Sequence, residues 1–452
     1  MQDYGLREPS YFGGSGRFLL RAVPVLVGLG LIGALGYFWV KSTAPAVEVV
    51  GGFPRALGPS TPLRLQFTNP HGARRLTVIV EQGTMRTIAF ERTEAPMRFT
   101  LRRAAEPPAQ VLLAIGKKEV PTLAAGKAIV TIEVQSNDLR GQVARVSREL
   151  PVVLEKPSVT PDKEIVFVKR GRTAAVEFSV GGGWNDAGVR IGRFTFSSFP
   201  VKGSAARRMA LFTIPPEAET GVESVLFARS SIGDEVTAPF PLKVVEVKFR
   251  ERTLDVGEKL MEKVLAELDP NGSGEASERF ARINSVTRRS NDATLAELAS
   301  KSEGKRLWEG TFSLLPRGKA EALFADHRTY KYAGKVLNRE WHLGLDMASV
   351  KNAPVPAANH GRIVYAAPLG IYGNCVAIDH GMGVLSVYGH MSEFAVKIGD
   401  TVKKGQEIGK SGMTGLAGGD HLHLGMMVGG AFVDPVEWIH ESWMEQMLKH
   451  LE

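Results

Sequence analysis

The chain has 452 residues, 44% hydrophobic and 23% charged, with a formal net charge of +8; this is ordinary globular material, and one core rarely grows past about 250–300 residues, so two to four domains are expected. The mild positive excess comes without a dense Lys/Arg block carrying interleaved aromatics, which excludes nucleic acid as the expected partner and suits an anionic envelope polymer or membrane surface. The single cysteine, Cys375, excludes an intramolecular disulfide, and its apolar strand-like setting reads as a small core residue rather than a nucleophile.

The first predicted element is Ala22 to Val40, a 19-residue run without charge. As a helix it would span roughly 28 Å, close to a bilayer's hydrocarbon core. Arg7, Arg17 and Arg21 precede it, Lys41 follows, and Tyr37 and Trp39 sit at its far end. The positive-inside rule then makes 1–21 a cytoplasmic tail, 22–40 a single transmembrane helix of the inner membrane, and the remainder a body outside the cytoplasm. A cleaved signal peptide, with Ala44-Pro45-Ala46 as its small-residue site, is the rival reading; both export the body.

From 45 to 250 short period-two segments alternate with turn formers: Leu63-Arg-Leu65-Gln-Phe67, Leu76-Thr-Val78-Ile-Val80, Val130-Thr-Ile132-Glu-Val134 and Val176-Glu-Phe178-Ser-Val180. That pattern predicts two β-sandwich-like domains, 45–155 and 156–250, joined at "EKPSVTPDKE". They carry no cluster of site-forming residues and read as a spacer or as binding modules for envelope protein partners. From 251 to 309 the period changes. Val256, Leu260, Met261, Val264, Leu265 and Leu268 share a helical face; a second stretch carries Phe280, Ile283 and Val286; a third is expected to start near Asp292 as N-cap. We read this as a helical collar that could cover a site. "DPNGSGE" opens like a calcium loop but has Phe280 where a bidentate Glu is needed, so it is a turn.

The last domain, 310–440, with 441–452 as a tail, is glycine-rich and strand-like, and nine of the ten histidines lie in the final 126 residues. Three pieces stand out: "WHLGLD" with His342 and Asp346, "SVYGHMS" with His390, and "GGDHLHLG" with His421 and His423. On a strand the last two imidazoles share one face. His342, Asp346 and one of His421 and His423 would make a His2Asp zinc site, one ion per chain, leaving a position for water. The remaining two histidines are then free to move protons or to hold an oxyanion.

From about Tyr330 to Pro435 the sequence resembles the lysostaphin/LytM-type zinc endopeptidases of bacterial peptidoglycan. The resemblance rests on "HLGLD", "GNCVAIDHGMGVLSVYGHMS", "VKIGDTVKKGQEIGKSGMTG" and "GGDHLHLG". It implies an antiparallel β-domain with zinc held in a groove by His342, Asp346 and His423, His390 and His421 as the catalytic pair, and cleavage of peptide stems or cross-bridges. Asn374 is then a groove candidate, as is Tyr388, two residues before His390 on the same strand face; Tyr330 is a weaker one. The expected fold is multidomain and mainly β: a transmembrane helix, two β-sandwich-like domains, a helical collar and a LytM-type peptidase domain. The expected function is an envelope-anchored zinc endopeptidase acting on peptidoglycan. The alternatives are a non-catalytic LytM-like activator of another wall hydrolase, or a zinc protease acting on exported proteins.

Overall fold

Strands are the commonest regular element of this chain, in a computed structural model that describes residues 15–97, 99, 108–201 and 204–449. The first fourteen residues of the expected cytoplasmic tail and the last three of the C-terminal tail lie outside the described residues. Two compact units divide the chain, residues 1–155 and 156–452.

In the first unit, helix α1 (Ser15–Lys41) contains the apolar run as Val23–Lys41, with mean hydropathy 2.0 and none of that window buried. Its length and composition suffice to cross a membrane. Two antiparallel sheets follow. One has the order Ala46–Val49, Thr61–Thr68, Ala109–Ile115; the other has the order Met85–Thr93, Ala73–Gln82, Gly126–Ser136, Val143–Val152. The period-two pattern works as expected: Leu63 and Leu65 of one sheet, and Leu76, Val78, Val80, Val130, Ile132 and Val134 of the other, point into a single shared core.

In the second unit, a seven-stranded sheet occupies 158–239. Its order is Glu235–Pro239, Ser224–Ser230, Trp184–Ile191, Phe194–Val201, Ser204–Thr213, Thr173–Gly181, Ser158–Pro161. Its core residues Phe178, Phe196 and Phe212 are continuous with Trp308, Trp438 and Tyr388 of the C-terminal region. Polar ties reinforce that junction, since Thr173 donates its backbone N–H to Glu437 Oε1 at 2.6 Å.

The 251–309 segment holds three helices: α2 (Glu258–Leu268), α3 (Ala276–Arg282) and α4 (Arg288–Ser300). Met261, Val264 and Leu265 form the buried stripe of α2, on the anticipated face. Asp269, which ends α2, accepts hydrogen bonds from Arg279 and Arg282, which consumes the carboxylate that a calcium loop would need. The expected helix start at Asp292 is wrong. A π-helical turn, Ile283–Thr287, joins α3 to α4 without a break, and Asp292 sits inside α4. Its carboxylate is committed elsewhere: it accepts from the Tyr372 hydroxyl at 2.7 Å.

An antiparallel sheet dominates 319–433, with Leu345–Ala348, Leu422–Val428, Val384–Met391 and Asn374–Asp379 as consecutive neighbours. Every residue of Val384–Met391 and Leu422–Val428 is buried, because both faces are covered. Val376, Tyr388, Leu424 and Met426 pack into the core shared with Phe178 and Trp438. Cys375, Ala377, Val387 and Met427 pack on the other face, against Val264, Phe280 and Leu295 of the helices. The helical segment therefore lies on one particular face of this sheet.

Candidate active site

The strand register builds the centre of the site. Asp346 lies directly opposite His423, and His423 directly opposite Gly389, the residue before His390, so three adjacent strands meet at one point. His421 and His423 alternate with the core residues Leu422 and Leu424, which turns both imidazoles toward the helix-covered face. His342 ends the strand Lys335–His342 and reaches the same point. His342 Nε2 is 2.9 Å from Asp346 Oδ1 and 3.1 Å from His423 Nδ1, and His423 Nδ1 is 2.9 Å from the same Asp346 oxygen.

Backbone carbonyls orient the rings. His342 Nδ1 donates to Leu323 O at 2.8 Å, His390 Nδ1 to Thr414 O at 2.9 Å, and His421 Nδ1 to Gly419 O at 2.8 Å. In each case the Nε2 lone pair is left facing inward. The Leu323 loop is held in turn by Asp326, which receives a bidentate pair from Arg250 at 2.7 Å for each bond. His423 Nε2 is buried without a partner, and Nδ1 is the ring nitrogen turned toward Asp346. Gly344 makes room for this ring: a Cβ there would lie 2.5 Å from both Cε1 and Nε2 of His423.

His390 needs a backbone irregularity to arrive. Strict alternation along Val384–Met391 would send it to the Tyr388 face, but its φ of +63° turns the side chain over. Its ring centroid then lies 4.8 Å from that of His421 and 5.8 Å from that of His423. A non-glycine residue in this region is strained by about 1–2 kcal/mol, a cost met where surrounding structure fixes it.

Electrostatics follow from this packing. Burial alone would raise the Asp346 carboxyl, but the facing His342 and His423 rings bring it well below the usual carboxylate range. Arg328 Nη2 donates to its other oxygen at 3.2 Å. Burial lowers His423 to about 4 and holds His390 well below the ordinary imidazole value, so both are neutral near pH 7 with lone pairs to offer. A carboxylate with two imidazole nitrogens converging on it, at distances of 2.9–3.1 Å, is a donor set suited to a divalent metal ion.

These groups line one cavity of about 190 Å³, together with Leu254, Leu260, Arg288, Arg328, Tyr330, Ile371, Tyr372, Leu416 and Gly418. The structure thus brings together His342, Asp346, His390, His421 and His423, with Tyr330 beside them. The two remaining candidates lie elsewhere. Tyr388 is on the opposite sheet face, because the left-handed turn at His390 separates the two side chains; its hydroxyl accepts from Ala358 N at 2.8 Å and from Ser386 Oγ at 2.9 Å. Asn374 is not among the cavity residues. Its backbone N–H donates to Thr414 Oγ1 at 2.9 Å, which supports the carbonyl that orients His390. Arg328, Tyr372 and Arg288 were missed. The period-two spacing of Arg328 and Tyr330 could have signalled the first; nothing in the sequence pointed to a helix residue 54 positions before His342.

Residues 340–435 match the family model of peptidase family M23. The chain carries a C-terminal M23 peptidase domain. The chain is 40% identical over 95 residues to the DD-carboxypeptidase/endopeptidase Mpg of Neisseria meningitidis serogroup B, covering 21% of this chain and 22% of that protein. It is 38% identical over 96 residues to the peptidoglycan DD-endopeptidase ShyA of Vibrio cholerae, covering 21% and 22%. The catalytic domain of lysostaphin from Staphylococcus simulans aligns at 30% identity over 29% of this chain and 98% of that one, with a TM-score of 0.25. The chain spans about a fifth of the length of these curated relatives. The three pieces read from the sequence all fall inside this match, whereas Arg328 and the helices that roof the cavity fall outside it.

Proposed function

We propose that this protein is a membrane-anchored zinc endopeptidase that hydrolyses the peptide stems or cross-bridges of bacterial peptidoglycan. The observation that carries the reading is the convergence of His342, Asp346 and His423 within hydrogen-bonding distance, with the inward-facing His390 and His421 beside them. The name of ShyA, a peptidoglycan DD-endopeptidase, supports peptidoglycan as substrate.

In this reading His342, Asp346 and His423 would hold zinc, which would supply Lewis-acid activation of water and of the scissile carbonyl. The rest belongs to the chain itself. One imidazole of the His390/His421 pair accepts the proton of the attacking water through its Nε2 lone pair and returns it to the leaving nitrogen. The protonated ring donates a hydrogen bond to the tetrahedral oxyanion. The carbonyls of Thr414 and Gly419 hold the two rings in the tautomer this needs. Arg328 keeps the second Asp346 oxygen occupied, so that only Oδ1 faces the imidazoles. Helix α1 serves as the anchor, residues 45–155 and 156–250 as β modules that set reach or bind envelope partners, and 251–309 as a collar over the 310–440 peptidase.

The test uses the full chain in detergent, with zinc measured by atomic emission and sacculus digestion followed by chromatography of muropeptides. We expect one zinc per chain, lost in His342→Ala and His423→Ala. His421→Ala and His390→Ala should keep zinc and lose turnover by about 10²–10⁴-fold. A zinc-free wild-type protein whose digestion products match those of His342→Ala would sink the enzyme reading and leave that of a non-catalytic activator.

A further inference from the structure

The active-site cavity has a second guanidinium that the hydrolytic chemistry does not use. Arg288, the first residue of α4, lines the cavity alongside His342, Asp346, His390, His421 and His423. It lies outside the segment that matches family M23.

Its arm is fixed from one side. Nε donates to Asn284 O at 3.1 Å and Nη2 to Asn284 Oδ1 at 2.6 Å. Asn284 is fully buried and donates its own amide to Asn338 Oδ1 at 3.1 Å. A guanidinium has five N–H donors in a rigid fork. Two are spent on Asn284, and among the described residues no carboxylate comes within ion-pair distance of the remaining three. The neighbouring acids are engaged otherwise. Asp346 pairs with Arg328. Asp292 accepts from Tyr372, and burial raises its carboxyl. Burial also raises Glu340, which feels Arg288 only as a softening charge. The cavity wall thus presents a pre-oriented, half-shielded positive fork beside the reacting groups.

We propose that Arg288 is a specificity-determining residue that reads a carboxylate of the peptide substrate close to the scissile bond. This rests on the peptidase reading above. A peptide carboxylate, whether a free C-terminus or an acidic side chain, accepts two parallel N–H bonds from such a fork, whereas a carboxamide in the same place offers one acceptor and no charge. The competing role, in which Arg288 only offsets Asp292 and Glu340, predicts a change in stability but none in substrate preference.

The experiment compares one synthetic cross-linked stem peptide as the free acid and as its carboxamide, on the full chain in detergent. Binding is measured by calorimetry in the His421→Ala background and turnover in the wild-type background. The free acid should be favoured roughly tenfold to a hundredfold in both measurements. Arg288→Gln should bring that ratio near one through the KM side while zinc content persists, and Arg288→Lys, which keeps the charge without the fork, should fall between. Equal binding of the two peptides by the parent protein, or an unchanged ratio in Arg288→Gln, would overturn the assignment. If nothing is hydrolysed but the binding preference is present and vanishes with Arg288→Gln, Arg288 keeps its role and the hydrolytic reading fails instead.

Discussion

At the scale of single residues, the site depends on one absent side chain and one strained backbone. Gly344 stands between His342 and Asp346, and its missing Cβ is the space filled by the His423 ring. Gly344→Ala would place a methyl 2.5 Å from two ring atoms and 2.9 Å from Leu424 O. Neither the ring nor the backbone can retreat far inside a fully buried strand, so His423 must rotate away from Asp346. Zinc affinity should drop by about ten- to a hundredfold, the range seen when support for a ligand is lost. Competition against a chelator of known affinity measures this, and an unchanged affinity would show the cradle to be dispensable. The sequence pattern H-x-G-x-D thus has a steric reason at its centre as well as the proposed ligands at its ends.

At the scale of elements, α2 grips the loop that aims His390 and His421. Lys263 Nζ donates to Gly415 O at 2.7 Å and to Ala417 O at 3.3 Å, while Glu267 Oε1 accepts from Gly415 N at 2.6 Å. Thr414 and Gly419, whose carbonyls orient His390 and His421, lie on either side of this grip. Glu267→Ala should therefore lower kcat by about tenfold, the worth of a charge-assisted hydrogen bond, with zinc content intact. A rise in kcat would instead mean that α2 restrains the site. The site was legible from sequence where strand spacing alone decides geometry: His421 and His423 share a face because the strand period is two. It was illegible where a single dihedral overrides that period. His390 and Tyr388 obey the same spacing, yet the left-handed turn at His390 places them on opposite faces. The helical stripe of α2 was equally readable, because Val264 and Leu265 need only periodicity to be buried. The start of α4 was not, because Asp292 has the chemistry of an N-cap and spends it on Tyr372. Arg288 owes its position to tertiary packing, which no local pattern records.

At the scale of the whole molecule, the second unit is tied across its length by a buried acid. Glu437, beside the M23 domain's last strand, is 2% exposed and receives the N–H of Thr173 from the seven-stranded sheet. Burial pushes its carboxyl up to about 8, against about 4.3 in an unfolded chain. The folded state therefore holds a proton that the unfolded state has released between those values. The stability conferred is fully present below about pH 4.3 and is lost as pH rises toward 8, with a slope of up to about 1.4 kcal/mol per pH unit. Glu437→Gln keeps the acceptor and cannot ionise, so it should flatten this part of the stability curve. Urea denaturation at several pH values tests it; parallel curves for the two proteins would remove Glu437 from the account.

Cys375 is fully buried, on the sheet face covered by the helices, and burial raises its thiol far above the ordinary range. Such a sulfur is chemically silent while the fold is closed, because thiolate formation and reagent access fail together. The molecule can therefore pass between oxidising and reducing surroundings without cross-linking to another copy through this atom. For a thiol reagent to reach this sulfur, the helices must part from the sheet or the sheet itself must unfold.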